Sequence, residues 1–223
     1  MTNYHVLSKQ VWDKTLLQLR DHFLIYAPVL YGENQDYELI DEDSLPAVVY
    51  NKPKPASPLK TFFLPIRENV ANLINAEKKR IIMGIPACDL SGLKIVDEIY
   101  LNNNYVDPTY KKNRDSSILI GSDCHTIQAH CHCTAYGVRP YPEENHDLTI
   151  SLLQDKVFLQ TQSGKGQDLI AEISRFTELH EPSENEIRDI LDKRKATEET
   201  LNENNTDLPN YHETGDLIRD SRD

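Results

Sequence analysis

Apolar residues recur along the first third of the chain at two different periods. Over residues 9–23, Val11, Trp12, Leu16, Leu19 and Phe23 fall at helical spacing with polar residues between them, which predicts an amphipathic opening helix. Leu24 to Leu30 is apolar, is interrupted by Pro28 and is followed by the turn-rich Gly32-Glu33-Asn34-Gln35-Asp36. This predicts a short strand entering a hairpin or loop, with residues 37–40 as its partner. Pro46, Pro53, Pro55 and Pro58 each lack a backbone donor, so residues 45–59 read as an extended surface connection.

From there the pattern becomes regular. Residues 61–64 are a candidate strand, 68–76 a helix, and Arg80-Ile81-Ile82-Met83-Gly84-Ile85 a buried strand with a near-continuous apolar run. Leu90, Leu93, Ile95, Val96 and Ile99 then mark a helix over 89–101, with Lys94, Asp97 and Glu98 on its wetter side. Residues 116–121 form another short apolar strand, which runs almost directly into Cys124. Two more strands are expected over 148–153 and 157–160, and a helix over 164–176. Ser183 and Glu186 stand at capping-box spacing and open a last helix with Ile187, Ile190 and Leu191 as its apolar stripe. Strands and helices that alternate in this way predict an α/β domain, a layered mixed sheet flanked by helices. It is expected over residues 1–201, with 202–223 as a polar linker or disordered tail.

Composition removes several functions. A chain of 223 residues with 39% hydrophobic positions can bury a core without cross-links. Lys+Arg 24 against Asp+Glu 36 gives a net charge of -12, which repels phosphate backbones and anionic lipid, so neither nucleic acid nor a membrane surface is expected as a partner. The basic runs Lys78-Lys79-Arg80 and Lys193-Arg194-Lys195 read as solvated faces. The first residues lack a secretory pattern, and no segment approaches the roughly 18 to 20 apolar residues of a membrane span, so a cytoplasmic location is expected.

In a reducing compartment clustered cysteines point to metal binding or catalysis more than to disulfides. Cys124, Cys131 and Cys133 lie close together, and Cys88 follows a predicted buried strand as Cys124 does. If the two strands are parallel neighbours, both loops emerge at one sheet edge and four thiolates meet. Thiolates suit an iron-sulfur cluster or zinc, and the nearby His125, His130 and His132 add to the zinc reading. The C-x6-C-x-C spacing matches neither a ferredoxin run nor a zinc ribbon. Small buried hydrophobes, or a thiol catalyst activated by an adjacent His, therefore stay open beside the two metal readings. The Ser163-Gly164-Lys165-Gly166 stretch lacks the spacing of a phosphate-binding loop and reads as a helix-leading turn.

The order of segments carries a further signal. Gly84-Ile85-Pro86-Ala87-Cys88-Asp89-Leu90, Asp107-Pro108-Thr109-Tyr110, Leu119-Ile120-Gly121-Ser122-Asp123-Cys124, Cys131-His132-Cys133 and Asp147-Leu148 together resemble the beta subunits of cytoplasmic sulfhydrogenases and the A subunits of anaerobic sulfite reductases. Lys60-Thr61-Phe62-Phe63-Leu64-Pro65 also looks like that family, and the likeness runs from about residue 10 to residue 220. In that family an N-terminal α/β domain precedes a ferredoxin-like domain with two four-iron clusters, and the subunit passes electrons between a flavin-containing partner and a catalytic subunit. The resemblance implies Cys88, Cys124, Cys131 and Cys133 as ligands of a 4Fe-4S cluster, and a non-catalytic electron-transfer subunit of an oxidoreductase complex. Two departures stand out: the chain stops about where the ferredoxin-like part would begin, and Pro86 replaces a basic residue common in the family. Either the chain is truncated before a ferredoxin-like domain or another polypeptide supplies it. The alternative from a different class is a zinc-stabilised interaction module without redox activity.

Overall fold

The computed structural model describes residues 4–64, 78–102, 104–209 and 211–221. The helix expected over 68–76 lies outside the described residues. A seven-stranded sheet organises the chain, built from β1 (Tyr4–Ser8), β2 (Phe23–Tyr31), β3 (Asn34–Leu39), β4 (Lys79–Pro86), β7 (Ser117–Ser122), β8 (Leu148–Leu153) and β9 (Lys156–Thr161). Its order is β1-β9-β8-β7-β4-β2-β3. The contiguous set β2, β4, β7 and β8 is parallel, and hairpins β2–β3 and β8–β9 add antiparallel strands on either side. A separate two-stranded ribbon pairs β5 (Leu101–Asn102) with β6 (Tyr105–Val106).

Six helices accompany the strands among the described residues: α1 (Lys9–Leu19), α2 (Ala87–Tyr100), α3 (Pro108–Asp115), α4 (Gly164–Ile173), α5 (Glu184–Asn204) and α6 (Tyr211–Asp220). The continuous apolar runs of β4 and β7 have a direct cause, because both faces of these strands are covered. Ile81, Met83, Ile118 and Ile120 join Trp12, Leu16 and Leu19 of α1 and Leu169 and Ile173 of α4 in one core. Ile82, Ile85 and Leu119 join Leu90 and Leu93 of α2, Tyr110 of α3 and Phe63 in a second core on the opposite face. Strict alternation would send Ile85 to the first core. A register shift between Met83 and Ile85, where Gly84 adopts φ 78°, turns it to the α2 side. An α/β sheet with helices on both faces is therefore the architecture.

Local chemistry accounts for most helix starts. Ser8 caps α1, accepting from the Val11 amide at 3.3 Å. Asp107 caps α3, accepting from the Tyr110 amide at 2.7 Å, with Pro108 in the first turn, where a missing N–H costs nothing. Ser163 caps α4, so the glycine-flanked Lys165 stretch is the helix-leading turn that the sequence suggests. Ser183 and Glu186 form a complete capping box at α5. Replacing Ser183 with Ala should lower stability by about 1 kcal/mol, read as a shift in the urea midpoint at unchanged slope. A change within about 0.2 kcal/mol would mean that the cap does not hold the helix start.

Three expectations change. Residues Leu59–Phe62 form a 3₁₀ turn where a strand was expected over 61–64, because Pro58 leads into it and Phe63 buries its ring against Tyr110 instead of joining the sheet. The connection over 45–59 is not all surface: Leu45, Asn51 and Leu59 are buried, and Val29 and Val48 make an antiparallel bridge. Residues 202–223, expected as a linker or disordered tail, contain the end of α5 and the helix α6. No helix among the described residues is long and apolar enough to cross a membrane.

Candidate functional site

β4 and β7 are parallel neighbours, and Pro86 is registered opposite Ser122 at their carboxyl ends. Cys88 and Cys124 each follow two residues later, so the topology delivers both to one sheet edge. Cys88 sits in the first turn of α2, which continues from β4 without a loop. Cys124 is fixed by its backbone: its amide donates to the Pro140 carbonyl at 2.8 Å, and the next amide, of His125, donates to the Asn51 carbonyl at 2.9 Å.

Asn51 explains why the loop stays in place. Its side-chain amide donates to the Leu152 carbonyl and accepts from the Leu152 amide at 3.2 Å, so it pairs with β8 as a strand residue would. Its own backbone takes φ 55°, a left-handed value that Asn tolerates better than most residues. The segment that follows is closed by short turns. The Cys131 amide donates to Gln128 O at 2.9 Å and the Gln128 amide to the Cys131 sulfur at 3.4 Å. Cys133 opens a 3₁₀ turn that ends at Gly137, whose φ of 72° suits glycine. Asn205, at the end of α5, donates to the Thr134 hydroxyl at 3.0 Å and ties this turn to the helix.

All four cysteines line one cavity of about 250 Å³. Pro53, Val138, Pro140 and Leu201 contribute apolar wall, and Lys54, His130, His132 and Arg139 are its basic lining residues, with no carboxylate side chain among them. In a protein of net charge -12 that is a local departure from the average surface. Desolvation by the walls is the main influence on the thiols. It pushes Cys88 up to about 12, with Asp89 and Cys133 adding to the rise, although Cys88 keeps exposed surface. Cys124 stands well above the ordinary thiol value for the same first reason, and Cys133 is also raised. For Cys88, Cys124 and Cys133 the protonated thiol is the favoured state at neutral pH.

Among the described residues, no group of three or more His, Cys, Asp or Glu side chains is placed so that it could hold a metal ion. This corrects the expectation of a 4Fe-4S cluster, or of zinc, on Cys88, Cys124, Cys131 and Cys133. The physical reason lies in convergence. Sharing a cavity wall is a weaker condition than meeting at one centre, and zinc, for example, requires sulfurs about 2.3 Å from the ion. The Cys131 sulfur is engaged within its own turn, and the rings of His132 and His125 have partners of their own. His132 Nδ1 lies 2.7 Å from the His130 carbonyl, and His125 Nε2 lies 3.8 Å from Asp123 and 3.4 Å from the Ser151 hydroxyl.

Beneath the cavity lies a buried charge pair that the sequence reading missed. Asp123, fully buried at the end of β7, accepts from Arg194 Nε of α5 at 2.9 Å. Burial alone would raise the Asp123 pKa, but the neighbouring His125 imidazole and the Arg194 guanidinium outweigh it and hold the carboxylate below its ordinary value. Arg194 also stacks over Tyr141, its Cζ 5.1 Å from the ring centroid. The run Lys193-Arg194-Lys195 is therefore not simply a solvated face. Arg80, in the other basic run, likewise turns inward to the carbonyls of Phe62 and Asn113 at 2.9 and 3.0 Å. A signal for Arg194 did exist: it falls four residues after Ile190, on the stripe of α5 that faces the sheet.

Comparison with known proteins places this geometry in a broader setting. No family model matches the chain. It is 24% identical over 208 residues to Sulfhydrogenase 2 subunit beta of Pyrococcus furiosus, an alignment that covers 89% of this chain and 61% of that protein. The chain thus spans about 61% of the length of this curated relative.

Proposed function

We propose that the chain is an accessory subunit of a hydrogenase-like or sulfite-reductase-like redox complex. It would have no catalytic centre of its own and would sit between a flavin-containing subunit and a catalytic one, with a ferredoxin-like domain or protein as a further neighbour. The observation that carries this reading is the similarity to a sulfhydrogenase beta subunit along nearly the whole chain. The cavity supports it: thiols gathered at the carboxyl edge of parallel strands occupy the place where α/β sheets put their functional groups. The acidic surface, interrupted there by basic residues, gives a partner an electrostatic landmark for docking.

Affinity purification of the tagged full chain from its native cells, without oxygen, tests the reading. The expected product is a stoichiometric complex in which flavin absorbance co-elutes with the chain. Elution as the chain alone, at native expression level and low salt, would contradict it.

A further inference from the structure

We propose that Cys88 and Cys124 form a reversible disulfide, which makes the cavity a two-electron thiol–disulfide site for low-molecular-weight disulfides and thiols. This goes beyond the accessory-subunit reading and does not depend on it. Registered neighbours Pro86 and Ser122 belong to adjacent strands, which lie about 4.8 Å apart. Both cysteines follow at the same offset and line the same cavity. A disulfide accepts Cα separations of about 4.4–6.8 Å, and the two cysteines stand two residues beyond a strand pair of that spacing. Among the charges acting on the Cys124 thiol, that of Cys88 weighs most. All four cysteines are free thiols. The Cys131 sulfur accepts from the Gln128 amide, and Cys133 opens a turn tied to α5 through Thr134.

Accessibility orders the steps. Cys88 is exposed and Cys124 lies deeper, so an external disulfide such as oxidised glutathione meets Cys88 first. The small thiolate fraction of Cys88 that burial leaves at neutral pH attacks one glutathione sulfur and breaks the S–S bond, and the leaving thiolate takes up the proton Cys88 has lost. The Cys124 thiolate then attacks the Cys88 sulfur and expels the second glutathione, which takes up the Cys124 proton. Two protein thiols are oxidised by two electrons, and one external disulfide is reduced to two thiols. The bond would join the first turn of α2 to the end of β7 across the cavity.

Equilibrating the reduced full-length protein in glutathione buffers, followed by acid quenching, thiol counting and peptide mapping, tests the proposal. Free thiols should fall from four to two, with the Cys88 and Cys124 peptides joined. The Cys131→Ser/Cys133→Ser double variant should still lose two thiols, and Cys88→Ser should form no intramolecular disulfide. Four thiols that survive in fully oxidised glutathione would overturn the proposal. So would a bridge confined to Cys131 and Cys133, or a reaction that stops at the glutathione adduct. Co-elution with flavin in the purification above is read separately, so either idea can fail without the other.

Discussion

Replacing Arg194 with Ala is expected to destabilise the protein by about 3 to 5 kcal/mol, because it leaves the Asp123 carboxylate buried without its cation. The side chain is nearly inaccessible, and its guanidinium also reaches the Gln160 side chain at 3.3 Å, so solvent cannot replace what is lost. The effect has a defined pH dependence. Asp123 titrates below its ordinary value of 3.8 in the folded protein, so its contribution is present above the unfolded value and is lost as pH falls through the folded one. The gap between wild type and Arg194→Ala should therefore be widest near neutral pH and narrow below about pH 4. Urea unfolding at pH 7 and at pH 3 reads both statements. Exchanging the pair for apolar residues, Asp123→Leu with Arg194→Met, should cost less than the single change, since no charge is then stranded. A loss below about 1 kcal/mol for Arg194→Ala at pH 7 would mean that the pair is solvated after all.

The second large effect is expected at Trp12. It is fully buried in α1, the helix that carries the chain from the edge strand β1 across to β2, five places away in the sheet. Trp12 packs in the same core as Leu16, Leu19, Ile81 and Ile120, so its removal leaves a cavity that this crossover cannot readily close. Trp12→Ala should cost about 3 to 5 kcal/mol by far-ultraviolet circular dichroism in denaturant, and Trp12→Phe less, because most of the ring volume remains. The chain has a single tryptophan, so tryptophan fluorescence cannot report on these variants. Equal costs for the two substitutions would show that the indole does not fill the core.

What the sequence made legible follows from periodicity and caps. The buried strands β4 and β7 stand out because both of their faces are apolar, and α5 announces itself through Ser183 and Glu186. The parallel pairing of β4 and β7 was a condition of the site reading, and the register Pro86 to Ser122 meets it. Short elements escaped. β1 spans five residues, of which Val6 and Leu7 are buried, too few to set a period. α3 is mostly polar, and only its cap and first turn, Asp107-Pro108, carried a usable signal.

The site was legible as a gathering of cysteines and misread as a metal centre. Spacing reports that chain segments approach; it does not report whether sulfur atoms converge on one point, which depends on side-chain directions set by turns such as Gln128 to Cys131. Nor does local sequence reveal the partner of Asp123. Arg194 lies 71 residues away and is flanked by two lysines; its place four residues after Ile190 marks the inward stripe, but its pairing with Asp123 emerges only when α5 is laid against β1 and β9. Gly84 belongs to the same class. Its bulge decides which core receives Ile85, and a Cβ there would lie 2.6 Å from the Pro28 ring.

The central structural claim is that segments far apart in the chain meet, so that Cys88 shares one cavity with the cysteines of the 124–133 segment. Treatment of the reduced protein with a short bis-maleimide, followed by peptide mapping, measures this directly. Cross-links from Cys88 to the peptide bearing Cys124, Cys131 and Cys133 are predicted at high yield. Links confined to Cys131 and Cys133, with Cys88 modified singly, would contradict the account.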